Sequence, residues 1–321
     1  MSASVVVTSA CAPAVDRAGA KKPMAVVMAG GAAAARMRRY APCRRLRQTL
    51  YGETTLVEDK LTKRQLVLKR INVHALKENR VQASDNPVRE HEVIQMLQKQ
   101  GCHPNVVRYE PDAMFCHGGN IYVAMEYCNG GDLYDYTEAK PEGKLHELEA
   151  LKLIYQIARG VQHLHDHGAA HRDLSLENIL LHDGRPKLCD FGLSTFETSS
   201  KDVVGKLYYM APEVVKGIDY DPACADIWSL GVLLFVMITG SPLIAEESPR
   251  EATYRVLTKC GIGRILEMWG LRRAFSRLTV DLLARMLQMD ASKRLDIDGV
   301  LRHPALRAYN NQRPIPDAEK P

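Results

Sequence analysis

Residues 171–192 read His171-Arg172-Asp173-Leu174-Ser175-Leu176-Glu177-Asn178, then Ile179 to Cys189, then Asp190-Phe191-Gly192. Ala211-Pro212-Glu213 follows a short way on. Upstream, Leu151, Ile154, Ile157, Val161 and Leu164 recur at helical spacing within Glu149 to His165 and predict an amphipathic helix. Downstream, Ala225 to Thr239 is apolar nearly all round, which predicts a core helix stopped by Gly240-Ser241-Pro242. Further out on the N-terminal side the pattern changes. Gln65 to Ile71 and Ile121 to Glu126 are short β-prone runs. Between them Asp85 or Asn86 can cap, and Pro87 can open, a helix through Gln100. Cys128-Asn129-Gly130-Gly131 reads as a linker.

The 321 residues allow about two compact units at roughly 150 residues each. The net charge of +5 is unevenly placed: residues 1–50 hold nine Lys/Arg against one Asp, and the remainder is mildly acidic. A nucleic-acid-binding body is therefore not expected. The eight cysteines form no CxxC pair, and no charged start leads into an apolar signal core. The expectation is a reducing, cytoplasmic setting without a zinc site. Leu230 to Ile238, the longest strongly apolar run, is too short for a bilayer, which needs about 20 residues, so no membrane span is expected.

The HRD, Asn, DFG and APE positions at this spacing resemble the eukaryotic protein kinase family, over about residues 45–306. The resemblance implies an α+β, two-lobed protein kinase fold: a small strand-rich N-lobe (45–127) and a larger helical C-lobe (128–306). Residues 1–44 are expected to be a disordered basic extension and 307–321 a tail. It also implies ATP and Mg2+ as cofactors, and protein substrates phosphorylated on Ser or Thr by a monomer. Phosphoryl transfer depends on positioning and charge neutralisation. By resemblance, Asp173 accepts the substrate hydroxyl proton, and Asn178 and Asp190 supply hard oxygens to Mg2+. Lys69 holds the α/β-phosphates. Glu90 and Glu92 compete to hold Lys69, and geometry favours Glu90, which shares a helix face with Ile94 and Leu97. Gly52, Val67, Met125, Glu126, Cys128, Asp132 and Leu180 fall at positions that surround the nucleotide. Asp226 is expected to brace the catalytic-loop backbone, and Glu213 with Arg294 to form a buried ion pair.

The chain also departs from the family. Of the glycine-rich loop GxGxxG only Gly52 survives; the first two positions hold Arg47 and Thr49. A side chain there obstructs close approach of backbone N–H groups to phosphates, though Arg47 could supply charge instead. This favours the alternative of a pseudokinase scaffold. The Lys expected two residues after the catalytic Asp is Ser175, and the Thr of the GTxxY segment is Lys206. The exchange is reciprocal, so Lys206 is expected to supply the missing ammonium. Asp202 sits where the family often carries a phosphorylated Thr and is expected to pair with Arg172, with Thr198, Ser199 and Ser200 as further candidate phosphosites. Asp132 and Glu177 fall where family acids read basic substrate residues.

Overall fold

The structure, a computed structural model, describes residues 31–49, 51–78, 86–244 and 250–310. The chain divides into two units. The first comprises residues up to 100 together with 108–127, and the second comprises 101–107 and the residues from 128 onward.

The first unit is a five-stranded antiparallel sheet with strands β1 (Tyr40–Thr49), β2 (Gly52–Asp59), β3 (Gln65–Asn72), β4 (Tyr109–His117) and β5 (Asn120–Glu126) in the order β1-β2-β3-β5-β4. Strand alternation sorts its side chains. Leu66 and Leu68 of β3, Val57 of β2 and Tyr122 and Ala124 of β5 join Phe115 in one apolar cluster. Val67 and Lys69 point to the other face, opposite Leu56 and Thr54 of β2 and Met125 and Val123 of β5. Helix α1 (Gly31–Arg39) covers the first face, with Ala33 and Tyr40 buried and Met37 packed alongside. The Arg36 guanidinium lies 5.4 Å from the Phe115 ring centre.

Residues 31–44 therefore correct the expectation of an extension disordered through residue 44. Ala32 to Ala35 is the strongest helix-forming run available, and Ala33, Met37 and Tyr40, spaced i, i+4, i+7, form an apolar stripe. Arg39 Nε bonds the buried Asp59 carboxylate at 2.7 Å, which anchors the helix end to the β2–β3 turn. Residues 1–30 lie outside the described ones.

Among the described residues this unit has two further helices, α2 (Val73–Glu78) and α3 (Pro87–Gln100). Asn86 Oδ1 accepts from Val88 N at 3.0 Å, so Asn86 caps α3; the rival cap, Asp85, lies outside the described residues.

The described residues of the second unit are mainly helical, with one small hairpin. Its elements are α4 (Leu133–Glu138), α5 (Glu147–Asp166), β6 (Ile179–His182), β7 (Arg185–Leu188), α6 (Pro212–Val215), α7 (Pro222–Thr239), α8 (Arg250–Met268), α9 (Arg277–Met286), α10 (Ile297–Arg302) and α11 (Arg307–Asn310). The predicted stripe of α5 is its buried face, and it packs on α7 and α10. Leu230, Val232, Leu233, Leu234, Phe235 and Met237 of α7 are fully buried. Each such side chain stabilises the fold by about 1.5–3 kcal/mol. The helix ends at Gly240 in the left-handed region, φ 68°. By length and composition α7 could cross a membrane, but 78% of its apolar window is buried inside this unit, as in a core helix. The start of the expected tail forms α11, and Tyr309 Oη donates to Leu148 O at 3.1 Å; Pro314, Pro316 and Pro321 lie outside the described residues.

Candidate active site

In the first unit, Lys69 is in mid-strand, 7% exposed, and its Nζ lies 3.2 Å from both carboxylate oxygens of Glu90, itself 0% exposed. The apolar face of α3 explains the choice of partner. Pro87, Val93, Ile94 and Leu97 are buried with Glu90, whereas Glu92 is exposed. A buried charge pair of this kind holds its helix in one rotation, because moving either partner strands the other. Val67 and Met125 lie opposite one another on the same face as Lys69, both buried. The backbone N–H of Glu126 is used by Arg108 O at 2.9 Å, so any contribution of Glu126 to an adenine edge would come from its carbonyl. Gly52 has a steric reason of its own: a Cβ there would lie 1.7 Å from Arg70 O of β3.

In the second unit, Asp173 is held from two sides. Asn178 Nδ2 donates to its Oδ2 at 2.7 Å and to its backbone carbonyl at 2.8 Å, and the Lys206 backbone N–H donates to its Oδ1 at 3.0 Å. Gly205 makes the last contact possible. At φ 101°, a Cβ on it would meet Arg172 O at 2.5 Å. Burial pushes the Asp173 carboxyl up to about 7. The Lys206 charge and the Asn178 bond oppose that shift, and the Asp190 charge adds to it. Asp226, fully buried at the start of α7, accepts from the His171 and Arg172 backbone N–H groups, both at 2.8 Å. Arg172 and Asp190 are non-glycine residues at φ 65° and 64°. Such strain costs about 1–3 kcal/mol and gathers at functional sites.

The Lys206 ammonium lies 2.8 Å from Ser175 Oγ and 3.1 Å from Glu177 Oε2, so the two exchanged positions are in contact. Arg172 Nη1 lies 3.0 Å from Asp202 and 3.2 Å from Ser200 Oγ, and its Nε bonds Leu193 O at 2.7 Å. Tyr220 Oη fixes the Asp202 carbonyl at 2.8 Å. Two contacts escaped the sequence reading. Ser200, a candidate phosphosite, is buried and accepts from both Arg172 and the Asp202 N–H. Glu177, expected to face substrate, is paired to Lys206. The Ser-x-Asp spacing of 200–202 is the signal for the first, since a Ser hydroxyl readily accepts from the N–H two residues on.

Asp132 caps α4, accepting from Asp135 N at 2.8 Å, and bridges Leu180 of β6 through the backbone. Cys128 is buried and takes part in no disulfide. The Asn178 amide nitrogen is committed to Asp173, which leaves the side-chain carbonyl oxygen as the atom Asn178 could offer a cation. With the Asp190 carboxylate this makes two hard oxygens, a donor set that suits Mg2+, which takes one or two protein ligands plus phosphates and water. Glu213 and Arg294 form a two-pronged pair at 2.7 and 3.2 Å.

A strand-rich unit bearing a Lys–Glu pair and a helical unit bearing this catalytic loop define one class of protein. The protein kinase domain family matches residues 44–306, and the chain belongs to that family. It is 34% identical to Serine/threonine-protein kinase SMU1 of Mycosarcoma maydis over 68% of its length, and 35% identical to human ribosomal protein S6 kinase alpha-3 over 66%. It is 36% identical to Serine/threonine-protein kinase GIN4 of Saccharomyces cerevisiae over 64%. The matched regions span 29%, 29% and 18% of those relatives, so the chain corresponds to less than a third of each.

Proposed function

We propose that this chain transfers the γ-phosphate of ATP to Ser or Thr hydroxyls of protein substrates. The observation that carries the reading is the setting of Asp173: a half-buried carboxylate fixed by Asn178 and by the Lys206 N–H, with its pKa raised to about 7. A general base works best when its pKa lies near the operating pH. In the step, Asp173 accepts the proton of the substrate hydroxyl, the hydroxyl oxygen bonds the γ-phosphorus, and the bond to the β–γ bridging oxygen breaks to release ADP. Asn178 and Asp190 would hold Mg2+, which neutralises phosphate charge when bound. Lys69, held by Glu90, would bind the α/β-phosphates. Lys206 would steady the transferring group from the position vacated at Ser175. Val67, Met125, Leu180, Asp132, Gly52 and the backbone at Glu126 and Cys128 would surround the nucleoside. No disulfide joins the described cysteines, which suits a reducing, cytoplasmic setting.

Ser/Thr specificity rests on Ser175-Leu176-Glu177, where tyrosine enzymes carry Ala-Ala-Arg or Arg-Ala-Ala, and on the names of the relatives. The second reading, a pseudokinase scaffold, draws on Arg47 and Thr49 in the glycine loop. Mg-ATP turnover on a generic protein substrate separates the two. Catalysis predicts phosphoserine or phosphothreonine that disappears in Asp190→Asn; incorporation that is absent from wild type, or unchanged in Asp190→Asn, defeats it.

A further inference from the structure

Of the three loop glycines this chain keeps only Gly52, and the β1–β2 hairpin determines where the side chain at the first missing position points. The two strands pair through to Thr49 opposite Gly52. Two register shifts interrupt them, one between Pro42 and Arg44 and one between Arg45 and Arg47. The second decides where the arginines point. In an unbroken strand, residues 45 and 47 would share a face. With the extra residue Leu46 inserted, Arg45 pairs with Thr55 and Arg47 pairs with Thr54. A bulge of this kind re-aims the side chain that follows it.

The ladder continues across the sheet. Thr55 pairs with Leu68, on the apolar face covered by α1, whereas Thr54 pairs with Lys69. Arg47 therefore shares the Lys69 face, two strand spacings or about 10 Å away, and Arg45 is turned from it. Arg44 also shares that face, opposite Leu56, but its Nη2 lies 3.4 Å from Tyr127 Oη, at the end of β5. Arg47 thus stands at the level of the lysine, on the exposed edge strand, at the position of the first missing glycine.

We propose that Arg47 grips the β- and γ-phosphates of ATP through its guanidinium, replacing the backbone amides of a glycine loop. The proposal rests on the kinase reading above. A guanidinium meets phosphate oxygens through two parallel hydrogen bonds and keeps its charge at every working pH. It serves where the backbone cannot approach closely, and the same side chain that spoils the glycine loop then restores its electrostatics.

The test is nucleotide binding by the full chain, with Mg-ATP and adenosine as probes. Arg47→Ala weakens Mg-ATP about tenfold and leaves adenosine within twofold. Arg45→Ala, with the same charge change on the same strand, leaves both unchanged. Arg47→Lys recovers part of the loss, and Arg47→Gly with Thr49→Gly recovers most of it by letting the backbone approach. Thermal unfolding of each variant confirms that it is folded. If wild type binds Mg-ATP and Arg47→Ala binds it equally well, the proposal is wrong and the kinase reading stands. If Arg45→Ala and Arg47→Ala lose affinity alike, the effect is diffuse charge and the proposal is again wrong. A wild-type chain that takes up no Mg-ATP overturns both.

Discussion

Two lysines in this protein hold glutamates at almost the same distance, in opposite surroundings. Lys69 and Glu90 meet at 3.2 Å with side chains 9% and 0% exposed, and Lys206 and Glu177 meet at 3.1 Å with side chains 37% and 24% exposed. Distance therefore says little about what either pair does. The first is desolvated, so separating it leaves a bare charge in the interior, at about 3–5 kcal/mol. The second is half-buried: Glu177 Oε2 is shielded from solvent while water still reaches part of the Lys206 side chain, so separating this pair should cost less than separating the first. The buried pair can fix the pose of α3. The half-buried pair leaves its lysine partly open to water, which is what exchange of Glu177 for a phosphate, as proposed above, would need. Rigidity belongs to one lysine and availability to the other.

Lys69→Met breaks the first pair and carries the largest expected effect. Turnover falls by at least about 100-fold, and the unfolding temperature drops because Glu90 is stranded. Adding Glu90→Gln restores the unfolding temperature but not the turnover, since the two losses have different causes. Recovery of activity in the double variant would mean that Lys69 serves only to neutralise Glu90.

Lys206→Met comes next and should split the other way. The unfolding temperature stays close to wild type, while kcat falls roughly ten- to a hundredfold. The pH profile offers a second readout. Lys206 lowers the pKa of Asp173, so removing it raises a carboxyl already at about 7, and the acid limb of the activity profile moves to higher pH. Ser175→Lys with Lys206→Thr, the exchange run backwards, recovers much of kcat. An unimpaired Lys206→Met enzyme, or an unmoved acid limb, would end the idea that this lysine acts on the reaction.

The second unit was the more legible half of the sequence, for a physical reason. Its candidate residues lie close together in the chain, so the resemblance to the kinase motifs could assign Asp173, Asn178 and Asp190 from one short stretch, and α5 and α7 announce themselves through buried stripes. Even the Lys206–Ser175 contact was readable, because two substitutions compensate in charge. In the first unit, Lys69 and Glu90 come from separate elements, and helix-face geometry had to choose between two glutamates. Helix α1 was missed because Gly30-Gly31 and the alanine run read as low complexity, although Ala33, Met37 and Tyr40 carry a stripe. Strand β1 was faint as well. An edge strand bearing Arg44, Arg45 and Arg47 has no apolar alternation to find, and a bulge scrambles what period remains.

A third pair joins one partner more buried than Lys69 to one more exposed than Lys206. Arg172 is 2% exposed at its side chain and Asp202 is 46%. Here a buried cation meets an acid that water can reach, the arrangement a phosphate on the same segment would otherwise complete. Phosphatase-treated protein should retain most of its activity. Asp202→Asn should lower it severalfold, because Arg172 keeps Ser200 and the Leu193 carbonyl as partial partners. If the unphosphorylated protein is inert and a phosphate at Thr198, Ser199 or Ser200 activates it more than a hundredfold, Asp202 does not fill that role.

The smallest effect on turnover belongs to a pair far from the chemistry, and it tests whether burial of one partner alone is enough to govern stability. Asp59 is buried and accepts from Arg39, Thr62 and the Leu61 N–H. The Arg39 bond, helped by the other two donors against burial, holds its carboxyl well below the usual carboxylate range. The folded state thus binds a proton here less readily than the unfolded one. The stabilisation is whole above an ordinary carboxylate pKa of about 3.9 and is lost as pH falls below it toward the folded value. Asp59→Asn should cost on the order of 1 kcal/mol at pH 7, or roughly 2–4 °C of unfolding temperature, with kcat unchanged. The difference between the two proteins should shrink below pH 4, where wild type loses the same charge. A gap that persisted in acid would assign the loss to packing of α1 against the sheet and remove Asp59 from the series of pairs.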